Sequence, residues 1–133
     1  MKLIKNVLIP VLLATIWISI SEFVRNEFIL KSFWIDHYHG LGLTFPSDTI
    51  NGAIWGIWSL FFAVFVFIIA ARFTLIQTTL ISWFAAFVLM WLTIGNLGVL
   101  PFGLLIYAVP LSLLESFVAA LILKKVPKGK PTR

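Results

Sequence analysis

Glu115 stands in Leu113-Leu114-Glu115-Ser116-Phe117, a carboxyl inside an otherwise apolar run. It precedes Lys124 by nine residues, about 13 Å along a helix, and follows Pro101 by fourteen, about 21 Å. If that run crosses a bilayer, the carboxyl lies near the middle, where it is costly unless paired, hydrated or protonated. Matching depths along the other apolar runs brings Thr15, Thr78 and Ser82 to its level, and none of these is a cation. Two kinds of chemistry fit. Glu115 is either a structural donor that ties helices together through hydroxyl contacts, or a proton or cation relay. Pro110, five residues upstream, removes a backbone donor and leaves carbonyls that an ion or a water can use.

A second polar group closes the first apolar run. Thr15, Ser19, Glu22 and Asn26 follow i, i+4, i+7, i+11, a stripe that must face protein rather than lipid. Arg25 sits at i+3 from Glu22 and can pair with it, with Asp48 across the loop, or with lipid phosphate. Together Glu22, Arg25, Asn26 and Glu27 are either an interfacial ion-pair cluster that fixes the depth of the run or a substrate site.

The chain's two histidines lie in Asp36-His37-Tyr38-His39. Asp36, His37 and His39 are the donor types of a metal site, with Glu22 and Glu27 as further oxygen ligands. A helix, however, sets residues i and i+2 about 200° apart, so both rings reach one metal only if the chain is extended there. The alternatives are helix-ending histidines favoured by the C-terminal dipole, or a group that titrates near neutrality. No nucleophile–histidine–acid set is present, and Gly95-Asn96-Leu97-Gly98 is no phosphate loop, because no Gly-Lys-Ser/Thr follows it. No cofactor is expected.

The elements that position these groups follow from composition. Of 133 residues, 61% are apolar and 11% charged, well above the apolar half of an ordinary soluble domain. The absence of cysteine excludes disulfides and thiolate chemistry. The net charge of +5 lies beside apolar runs rather than on a polar, aromatic-bearing surface, which argues for anionic lipid headgroups and against nucleic acid. Four runs are long enough to cross a bilayer: 3–23, 53–71, 73–93 and 101–123. The expected fold is an all-α integral membrane four-helix bundle, one membrane domain over residues 1–133, with an outer interfacial segment at 24–52 and a basic cytoplasmic tail at 124–133. Lys2 and Lys5 ahead of Val7 to Ile20 also fit a signal peptide, but an uncleaved first span is the expectation.

Between Glu27 and His39, the spacing of Leu30, Phe33, Trp34 and Tyr38 predicts an amphipathic helix lying along the membrane surface. Glu27 and Lys31 pair at i,i+4 on its wet side, and Gly40 supplies a left-handed cap. Gly52 and Gly56 form a GxxxG that lets another helix approach, within the chain or from a second copy. With four spans, the run Phe28 to Trp34 and the Asn96 turn, the chain resembles small four-span bacterial membrane proteins grouped in families of unknown function. That resemblance implies architecture and carries no activity. The leading expectation is a non-enzymatic bundle or membrane-complex subunit. A small transporter or channel built on Glu115 is the alternative, and an outer-face metal or enzyme site the third.

With the N-terminus inside, Lys2, Lys5, Arg72, Lys124, Lys125, Lys128, Lys130 and Arg133 all fall on the cytoplasmic side, leaving only Arg25 and Lys31 outside. Both termini are therefore expected in the cytoplasm. In a chain without native cysteines, Arg72→Cys should react with an impermeant thiol reagent only after the membrane is breached, and His39→Cys should react on intact cells. The reverse pattern would invert the topology.

Overall fold

The computed structural model describes residues 1–126, all connected by helices and turns with no strand among them. Lys128, Lys130 and Arg133 of the expected basic tail lie outside the described residues. Four helices are long and apolar enough to cross a membrane: α1 (Ile4–Ile29), α3 (Thr49–Ala70), α4 (Leu75–Asn96) and α5 (Phe102–Lys125). A short α2 (Lys31–Gly40) lies between α1 and α3. α5 packs against each of α1, α3 and α4, and α1 packs closely on α3.

The helix ends follow local chemistry. α3 begins at a capping box in which Asp48 accepts from the backbone and Asn51 returns a bond to the Asp48 N–H. That role takes Asp48 out of contention as the partner of Arg25. α4 opens on the equivalent Thr74 and Gln77 pair. α1 departs most from expectation. It does not end at Phe23 but continues through a wide π-turn, Val24–Ile29, and breaks only at Leu30. Glu22 and Arg25 of the polar group are buried in the bundle, so the helix need not stop for them. The left-handed position after α2 is Gly42, with φ +72°, not Gly40.

Polarity is distributed inside out. Ile16, Ile20, Phe61, Leu92 and Ile106 face outward, whereas Ser59, Thr78, Thr79, Ser82, Ser112, Ser116, Glu22, Arg25 and Glu115 are buried. Such a surface suits hydrocarbon, and such an interior is what holds helices together where lipid is as apolar as leucine. The main apolar core joins Val11, Ala14 and Ile18 of α1 to Phe62, Ala63 and Val66 of α3, Phe87 of α4, and Ala119, Ala120 and Leu123 of α5. Its alanines let the helices approach closely. A smaller core beneath α2 is made by Leu30, Leu100, Leu104 and Ala108, with Phe33 and Trp34 against it. Gly52 and Gly56 serve no helix contact within the chain, since nothing lies within 4 Å of where their Cβ atoms would be.

One lysine closes the bundle at the end that also carries Lys2, Lys5 and Arg72. Lys124 Nζ donates to the Ala70 carbonyl at 2.9 Å and to that of Phe73. It thereby satisfies acceptors left open at the C-terminus of α3 and in the turn that follows. Hydrogen bonds from a charged donor contribute about 1.5–3 kcal/mol. Lys124→Met should lower stability in detergent or lipid by about that amount, whereas the exposed Lys125→Met should leave it unchanged. Equal effects of the two would remove the cap from the account.

Candidate functional site

Arg25 is where the two polar groups of the sequence meet. Its guanidinium holds Glu22 Oε1 through Nη2, and its Nη1 lies 3.5 Å from Glu115 Oε1. All three side chains are shut away, with exposures of 6% for Arg25 and Glu22 and 0% for Glu115. The pairing expected from i,i+3 spacing is present, but the second partner of Arg25 comes from α5, 90 residues on (115 − 25). Two carboxyls therefore share one cation in the interior.

The surroundings fix this geometry. Asn26 Nδ2 donates to Glu22 Oε2 at 3.0 Å, and Asn26 Oδ1 accepts from Trp34 Nε1 at 3.2 Å, so the set is tied to α2. Trp17 Nε1 donates to the backbone carbonyl of Glu115 at 3.0 Å, fixing α5 against α1 at this level. Ser21 and Glu22 of α1 are side chains beside the Glu115 carboxyl. The Phe87 ring, itself fully buried, lies with its centroid 5.1 Å from Arg25 Cζ, a cation–π contact. Trp58, Phe62 and Trp91 hold that ring in place.

Of three π-turns among the described residues, one opens α1 at Ile4–Leu8 and the other two meet at the same guanidinium. Arg25 lies in the π-turn Val24–Ile29, and Phe87 lies in a second one, Phe84–Val88. A π-turn inserts a residue and re-aims the side chains after it, and such turns concentrate at functional sites. Here two of them place a cation and an aromatic face against each other. Periodicity at 3.6 residues gives no sign of either, so Phe87, Trp34 and Trp17 were not readable as members of the site.

None of the hydroxyls expected around Glu115 makes a hydrogen bond to its carboxyl. Thr15 Oγ1 donates to Val11 O at 2.7 Å and Thr78 Oγ1 to Phe73 O at 3.4 Å, each within or beside its own helix. Ser82 Oγ is buried without a partner, as are Ser116 Oγ, both Glu115 oxygens and Arg25 Nη1. The helix of α1 runs on past Phe23, and it is Arg25 on this extension that meets Glu115. Ser112 Oγ instead accepts from Trp83 Nε1 at 2.9 Å and helps fix α4 on α5. α5 itself runs on through Pro110.

The remaining sequence candidates separate from this set. Glu27 pairs with Lys31 at 3.0 Å, half exposed, on the wet side of the α1–α2 junction. Asp36 and His39 are exposed. His37 Nε2 donates to the Gly98 carbonyl at 2.8 Å, which docks α2 on the turn between α4 and α5, where Gly98 adopts φ +78°. Among the described residues no three of His, Asp and Glu gather as metal ligands, so Asp36, His37 and His39 do not converge as a metal site would require. Two surface hollows of about 200 Å³ each are present. One is lined by Lys31, Ile35, His39, Thr44, Phe45 and Ser47, the other by Trp58, Phe61, Phe62, Phe65, Ala85 and Ala86. Neither is lined by Glu22, Arg25 or Glu115.

Removing one member of a buried ion set leaves charge uncompensated and typically costs about 3–5 kcal/mol, whereas replacing the whole set by apolar groups of similar volume is often neutral. Arg25→Met should therefore destabilise the bundle by about 3–5 kcal/mol. The triple replacement Glu22→Met, Arg25→Leu, Glu115→Met should return close to the parent. Unfolding in mixed micelles measures both, and an Arg25→Met variant as stable as the parent would show that Arg25 contributes no net stability to the bundle.

No protein-family model, curated protein or solved structure matches this chain.

Proposed function

We propose that this chain is a small multi-pass protein of a bacterial inner membrane, with both termini cytoplasmic, that acts as a non-enzymatic helical bundle or as a subunit of a membrane complex. The observation that carries this reading is the closure of the interior. Its charged groups are engaged with one another and shut off from solvent, with side-chain exposures of 6% for Arg25 and Glu22 and 0% for Glu115. Arg25 then serves as an internal clasp that fixes α1, α2 and α5 in one arrangement. Lys2, Lys5, Arg72, Lys124 and Lys125 gather at one end of the bundle, where anionic headgroups are the suited partner. The Gly52 and Gly56 face, open on this chain, offers a place for a second copy or another span.

A second reading, a proton- or cation-coupled transporter, is favoured by a different observation. Two carboxyls stand on one guanidinium, π-turns carry Arg25 on α1 and Phe87 on α4, and ionisable groups inside a membrane commonly mark ion pathways. Flux through sealed proteoliposomes separates the two readings. The bundle reading expects no proton, sodium or potassium flux above that of empty liposomes under an imposed gradient. Flux in the parent that disappears in Glu115→Gln would establish the transporter instead.

A further inference from the structure

Among the described residues the buried charged side chains are Glu22, Arg25 and Glu115. The buried polar groups on the helices around them are neutral hydroxyls, Ser59 on α3, Thr78, Thr79 and Ser82 on α4, and Ser112 and Ser116 on α5. α2 contributes Trp34 through Asn26, and α1 adds Ser21. One cation thus faces two acids in a place where an uncompensated charge is costly. Both Glu115 oxygens and Arg25 Nη1 are buried and lack a hydrogen-bond partner, although the Glu22 carboxyl is adjacent.

We infer that Glu22, Arg25 and Glu115 form a binding site for a single exchangeable proton, held between the two carboxyls and balanced by the guanidinium. A proton needs only two oxygens. It turns one carboxyl into a donor, gives the bare Glu115 oxygens a partner in Glu22, and makes the set electrically neutral. A metal cation fits the same atoms poorly. Calcium takes six to eight oxygen ligands and magnesium a near-ideal octahedron, whereas this site offers two carboxyls and a nearby serine, with a fixed positive charge among them. The inference rests on the stoichiometry of charge around Arg25 and holds whether or not the bundle moves ions.

The charge count makes a pattern that single substitutions can read. With two acids and one arginine the site carries one proton. With one acid and the arginine it carries none, and with two acids and no arginine it carries two. The full chain in nanodiscs of phosphatidylethanolamine and phosphatidylglycerol, at neutral pH, should show a protonated-carboxyl stretch in the infrared that shifts in heavy water. That band should vanish in Glu115→Gln and also in Glu22→Gln, because the acid that remains ionises against Arg25, and it should grow about twofold in Arg25→Met. Should Arg25→Met fail to fold, the two glutamine variants decide alone. The absence of the band in the parent, or its survival in folded Glu22→Gln, would overturn the inference. So would a band lost when sodium, potassium or magnesium is added, which would assign the site to a metal cation.

Discussion

One guanidinium, enclosed with two carboxyls and shielded from solvent, is the constraint on which the rest of this structure depends. Arg25 cannot be left alone in such an interior, and neither can Glu115. Each makes the position of the other tolerable, and their helices are therefore held at one depth and one rotation. Asn26 extends that constraint to α2 through Trp34, and Trp17 extends it to the backbone of α5. Phe87 offers the cation the only other favourable surface described there, the face of a ring. The π-turns Val24–Ile29 and Phe84–Val88 bring Arg25 and Phe87 to this contact.

Apolar packing alone would specify the bundle less well. The outward surfaces of α1, α3, α4 and α5 are largely apolar, with leucine, isoleucine and phenylalanine prominent, and in lipid such surfaces have no preferred orientation. Specificity comes from what cannot face hydrocarbon. Ser112 meets Trp83, Lys124 reaches the carbonyls at the end of α3, and His37 meets the turn at Gly98. Each contact joins different elements, and each would be broken by a rotation of one helix. Those contacts define a single register for α5, the helix that touches all the other long ones.

Much of the architecture was legible because it depends on quantities local to the sequence. Apolar runs of spanning length announce themselves, and the i,i+3 and i,i+4 pairs Glu22 with Arg25 and Glu27 with Lys31 are set by helical geometry alone. A short helix over Lys31–Gly40 followed from the spacing of Leu30, Phe33 and Trp34. What stayed hidden was the contact between Arg25 and Glu115, which decides the character of the site. Its polar neighbours suggested that the first span ended near Phe23, and a span that ends there leaves Arg25 outside. The π-turn after Phe23 has no periodic signature, and the depth match that selected Thr15, Thr78 and Ser82 assumed straight helices of equal length. The charge of Glu115 was readable, but the cation that answers it was not.

The distance from Arg25 Cζ to the carboxyl carbons of Glu115 and Glu22 is the most direct measurement of this account. Solid-state NMR recoupling between selectively labelled arginine and glutamate, in lipid bilayers, reads it without a mutation. Ion-paired geometry places both carboxyl carbons at about 4–5 Å from Cζ, and the account predicts both couplings in one population. A Glu22 coupling without one from Glu115 would contradict it, since Arg25 would then pair only along its own helix and α5 would lose its tie to α1.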